Sequence, residues 1–67
     1  MDENEIALTA RKMIALYGPD AEMVAAGRAE TYAEEGEILA VLDWETIAMR
    51  ICDLQQQSAK QSRSATR

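Results

Sequence analysis

Three carboxylates crowd one short stretch of this chain, Glu34, Glu35 and Glu37, on either side of Gly36. Paired carboxylates act as general acid and base when their surroundings push their proton affinities apart. These three fall at a helix end beside a turn, where the ordinary role of charge is solvation. No histidine is present to serve as a base near neutral pH. The hydroxyls of Ser58, Ser62 and Ser64 belong to a polar C-terminal run with nothing to activate them. The glycines stand singly at 18, 27 and 36, so no glycine-rich phosphate loop exists. The Asp-x-Asp-x-Asp-Gly pattern of a calcium loop is absent. With one thiol, Cys52, and no imidazole, a nitrogen or sulfur metal cage cannot be assembled. The expectation is a protein with no catalytic residue, no cofactor and no metal, and not an enzyme.

Two single residues remain of interest. Cys52 falls on the edge of an apolar helix face, between Arg50 and Asp53. Without a clearly electropositive setting it reads as a small packing residue and not as a reactive thiol. Arg28 falls in the middle of an apolar stripe, between Val24 and Tyr32. A charge there must be paired, or its stem must lie on the core with its head in water. The spacing predicts a buried ion pair to Asp43, Glu45 or Asp53, or a helix-end hydrogen bond, with contact to an anionic ligand or partner as the other reading of Arg28.

The elements that position these residues are set by two breaks. Gly18-Pro19-Asp20 combines a helix-ending glycine with a proline suited to the next first turn. Gly36 makes the second break. The pattern predicts helix one at about 3–17, helix two at about 19–35 and helix three at about 38–56. Asp2 with Glu5 resembles a capping box, aspartate taking the serine role. From Gln55 onward no apolar side chain exceeds alanine, so burial cannot offset ordering entropy. The prediction is a domain over 1–56 and a disordered basic tail over 57–67.

At about 100° per residue, each helix carries an apolar stripe. Helix one aligns Ile6, Ala10, Met13, Ile14 and Tyr17. Helix two aligns Ala21, Val24, Ala25, Arg28, Ala29 and Tyr32. Helix three aligns Ala40, Val41, Trp44, Ile47, Ala48, Ile51, Cys52 and Leu54. Three stripes on helices joined by short turns predict an all-α, three-helix up-down-up bundle anchored by Trp44. Ala26 and Gly27 together leave room for a close helix crossing, with a neutral surface position for Gly27 as the other reading.

Helix three has a second apolar arc. Ile38, Leu39, Leu42 and Met49 share it, interrupted by Thr46 and Asp53. Helix one likewise leaves Leu8 and Leu16 off its stripe. A chain of 67 residues has room for one core, and buries only about 60% of the surface its unfolded form exposes. The surplus arc predicts an interface, with a homodimer as the first expectation and another protein partner as the second.

Charge narrows the partners. All twelve acids lie in residues 1–54 against four bases there, a net charge of −8, while Lys60, Arg63 and Arg67 give the last thirteen residues +3. An acidic body repels phosphate, so no nucleic-acid partner is expected. The longest apolar run, 38–42, is far too short for a membrane span, and the acidic start is unlike a targeting signal. With a lone thiol, these features predict a soluble, cytoplasmic protein.

Several motifs together resemble a group of short alphaproteobacterial proteins of unknown function. They are Tyr17-Gly18-x-Asp20-Ala21, Ala26-x-Arg28-Ala29, Gly36-Glu37, Trp44-x-x-Ile47 and Ile51-x-x-Leu54, and the match covers about residues 7–54. The chain departs from the group's pattern at Glu30, where aspartate is usual, and in its more apolar 38–42 stretch. The resemblance implies a bacterial setting and carries no activity with it. The reading that results is a non-enzymatic, self-associating interaction module, a regulator or adaptor. The alternative is an acidic inhibitor or nucleic-acid mimic of phage or mobile-element type, motivated by the −8 body.

Overall fold

The structure is a computed structural model that describes the backbone of residues 1–65 and side chains through Gln57. Its described residues are helical, with no strand among them. The order is α1 (Glu3–Tyr17), a 3-10 turn (Gly18–Asp20), α2 (Ala21–Glu34) and α3 (Ile38–Ala65).

Each boundary has a local cause. Asp2 caps α1, its Oδ1 accepting from the Glu5 backbone N–H at 2.9 Å. This is one half of the expected capping box, and no return bond from the Glu5 side chain is among the described hydrogen bonds. Gly18 closes α1 at φ 57°, ψ −128°, its N–H donating to the Ile14 carbonyl. Helix two starts at Ala21, later than the predicted 19, because Gly18–Asp20 first form a 3-10 turn with Pro19 in its opening positions. At the far end of α2, Gly36 adopts φ 77°. The Glu37 N–H donates to the Tyr32 carbonyl at 2.9 Å and the Gly36 N–H to the Ala33 carbonyl at 3.1 Å, the paired bonds of a Schellman cap. Only glycine reaches that backbone conformation without strain.

α3 runs nine residues beyond its predicted end at 56. A helix already nucleated propagates at little cost through glutamine, alanine and lysine, and nothing before Ala65 breaks it. Of the predicted disordered tail, 57–67, residues 66–67 and the side chains of 58–65 lie outside the described residues.

The core is built from unequal contributions. The buried residues of α2 are all alanines, Ala21, Ala25 and Ala29. Their four-residue spacing forms a low ridge on which α3 can lie close. α3 fills that space with Ile47 and Ile51, the largest fully buried side chains, and α1 adds Ala10 and Met13. Ile6, Ile14, Val24, Trp44, Ala48 and Leu54 pack around them, partly buried. Trp44, expected to anchor the bundle, is among these partly buried residues packed against the core. Packing is most extensive between α2 and α3, with α1 laid against both. Arg50 reaches Glu3 at 3.4 Å, and the Gln55 Nε2 donates to the Gly18 carbonyl at 2.9 Å. These contacts tie the start of α1 and then its end to successive positions along α3.

Candidate interaction surface

The four residues assigned to the surplus arc all stand in solvent. Ile38 is 66% exposed, Leu39 79%, Leu42 54% and Met49 67%. The cause is angular: α3 spends its core face on Ile47, Ile51 and their neighbours, and α1 and α2 do not reach around to the other side. Thr46 interrupts the arc less than its type suggests. Its hydroxyl donates to the Leu42 carbonyl at 2.8 Å, so its polar atom is turned onto the helix backbone. Leu8 and Leu16 on α1 are exposed too.

Beside this arc lies an open groove of about 690 Å³ between α2 and α3. Ala26, Gly27 and Ala33 are among the residues of its α2 wall, and Val41, Ala48 and Met49 of its α3 wall. Met23 is 68% exposed at the groove. Two carboxylates, Glu30 and Glu45, are the charged residues of the lining. Neither makes a hydrogen bond or ion pair among the described residues. Ala26 and Gly27 stand out in the sequence, but the groove they line does not. The signal for it is that α2 carries small residues over a broad arc, from the buried Ala21, Ala25 and Ala29, the last of which also lines the groove, round to Ala33, Ala26 and Gly27. No heavy atom lies within 4 Å of where a Gly27 Cβ would stand, so the close crossing expected there is not made within this chain.

Arg28 requires a correction. It is exposed and forms no ion pair with Asp43, Glu45 or Asp53. Its Nη2 donates to the Tyr17 hydroxyl at 3.3 Å, and its Cζ lies 5.0 Å from the centre of the Trp44 ring. The arginine stem follows the apolar stripe as its position requires, but the head finds an aromatic face before any carboxylate. An aromatic face neutralises no charge, yet it holds a weakly hydrated guanidinium well. Asp43 instead lies 3.8 Å from the Met1 amino group.

Cys52 is half-buried and unpaired with any other cysteine. Desolvation by its surroundings raises the thiol pKa above its ordinary value, and the charges of Glu22 and Asp53 raise it further. The Gln56 Nε2 reaches its sulfur at 3.5 Å. A thiol held in its protonated form is a poor nucleophile. The carboxylates Glu34, Glu35 and Glu37 are exposed, and among the described residues no group of three or more potential ligands converges on one point. No helix among the described residues is long and apolar enough to cross a membrane.

What this arrangement can do is bind through apolar contact: a convex arc on α3 and a concave groove beside it, meeting at Met49. Compared with protein-family models, curated proteins and solved structures, the chain matches none.

Proposed function

We propose that this protein is a non-enzymatic interaction module of the cytoplasm, a three-helix up-down-up bundle that self-associates through α3. One observation carries the reading: Ile38, Leu39, Leu42 and Met49 share an arc of one helix and are each more than half exposed. Scattered exposed apolar residues are ordinary on protein surfaces. Four on one arc over about three turns, with Thr46 between Leu42 and Met49, form a patch of the kind that marks an interface. Around a twofold axis the same patch serves both copies. The role is that of a regulator or adaptor, since binding is the chemistry the surface offers.

Light scattering across a concentration series tests it. The expected result is a mass that rises to that of a dimer, and a monomer for Leu42→Asp with unchanged helical circular dichroism. A wild-type chain that stays monomeric at high micromolar concentration overturns the proposal.

A further inference from the structure

We propose that the groove between α2 and α3 receives a single amphipathic helix of a partner protein, with an apolar stripe flanked by lysine or arginine. The groove adjoins the self-association arc along α3: Met49 belongs to both, and Glu45 of the groove lies one turn from Leu42 and from Met49.

Shape argues for a helix. From Met23 to Ala33 the α2 wall extends about 15 Å, which is about three turns of a docked helix. The wall residues Ala26, Gly27 and Ala33 keep that side low, so a partner backbone can approach as closely as α3 approaches the inner alanine ridge. Met23 and Met49 flank the site, and methionine adapts its shape to an incoming apolar stripe. This is the helix-in-groove mode of recognition.

Charge selects the occupant. Glu30 and Glu45 stand in the lining and form no ion pair among the described residues, on a body, residues 1–54, of net charge −8. A second copy would bring its own acids against these two, a like-charge contact that disfavours it. The chain's own nearby bases are engaged elsewhere, Arg28 over Trp44 and Arg50 with Glu3. A helix bearing lysine or arginine beside its apolar residues satisfies both carboxylates while it covers the groove.

The test uses a fluorescein-labelled helical peptide of about fourteen residues, long enough to span the three turns, with leucine and alanine at i, i+3, i+4 and i+7. One version is flanked by lysine and the other by glutamate. Anisotropy titrations are run on the wild-type chain and on Leu42→Asp, so that a failure of self-association and a failure of groove binding read separately. The lysine peptide is expected to bind about tenfold or more tightly than the glutamate peptide, with the gap closing at high salt. Gly27→Leu, which projects into the groove and meets no neighbour in this chain, is expected to abolish binding while leaving circular dichroism unchanged. Glu30→Lys with Glu45→Lys is expected to invert the preference between peptides. Equal binding of both peptides, indifference to Gly27→Leu, or no binding by either peptide overturns the proposal. Dimerisation of the wild-type chain that Gly27→Leu abolishes assigns the groove to a second copy, and also overturns it.

Discussion

The Arg28 guanidinium lies over the Trp44 ring, its Cζ 5.0 Å from the ring centre, and couples the middle of α2 to the first half of α3. An exposed contact of this kind is worth about 0.5–1 kcal/mol. A double-mutant cycle between Arg28→Ala and Trp44→Leu should return a coupling of about that size in urea unfolding. The same cycle between Arg28→Ala and Asp43→Asn should return none. Arg28→Lys should behave nearly as the alanine variant does, because an ammonium lacks the planar face that stacks on indole.

Gln55 ties α3 to the end of α1 through its 2.9 Å bond to the Gly18 carbonyl, in a partly buried setting. Gln55→Ala should lower stability by about 1 kcal/mol, with Gln56→Ala close to neutral. The denaturant midpoints of the two variants, measured side by side, check this. Equal midpoints would remove the bond from the account of how α1 docks.

Gly27 and Gly36 should respond to alanine with opposite signs. Gly27 is helical with open space around it, so Gly27→Ala should stabilise by up to about 1 kcal/mol. Gly36 sits at φ 77°, where a Cβ meets the backbone, and Gly36→Ala should destabilise by about 1–2 kcal/mol. Thermal unfolding of both variants reads the signs directly.

Asp2 caps α1 through the Glu5 N–H. Asp2→Ala should cost about 1 kcal/mol, because it leaves a first-turn donor unpaired. Glu5→Gln should cost little, since only the aspartate half of the box is made. Amide hydrogen exchange at Glu5 should quicken in the first variant and not in the second.

Cys52 predicts a pH dependence. Its folded pKa is raised by desolvation, then by Glu22 and Asp53, whereas the unfolded thiol titrates at its ordinary value. Above the unfolded value the folded state therefore holds more protons, and stability falls as pH rises. The contribution is fully present below the unfolded pKa and is lost as pH passes through the folded one. Alkylation by iodoacetamide should titrate at a higher pH than it does for an unstructured cysteine peptide, and Glu22→Gln should move that midpoint down.

Much of the fold was legible because its signals are local. Gly18-Pro19 and Gly36 end helices through backbone geometry that belongs to those residues wherever they occur, and Asp2 acts within one turn of itself. The periodic stripes identify Ala10, Met13, Ala21, Ala25, Ile47 and Ile51 as inward-facing before any packing is known. The same periodicity leaves Ile38, Leu39, Leu42 and Met49 without an inside to face. The backbone of α3 continues to Ala65, past the 56 that the apolar pattern predicts, because that pattern marks where burial ends and not where a helix stops.

Relations between helices were not legible, since they depend on how closely the axes approach. The alanine ridge of α2 admits Ile47 and Ile51 to the centre, and Trp44 stays partly buried, where Arg28 reaches it before any carboxylate. Gln55, a polar residue in a fading pattern, meets the Gly18 carbonyl only because α1 ends beside it. The groove beside Gly27 is likewise a product of packing: it exists because α1 covers one side of the α2–α3 pair and leaves the other open. Residue types and their periods determine which surfaces are apolar. Only the tertiary arrangement decides which of them the chain covers for itself, because a chain this short has one core to fill.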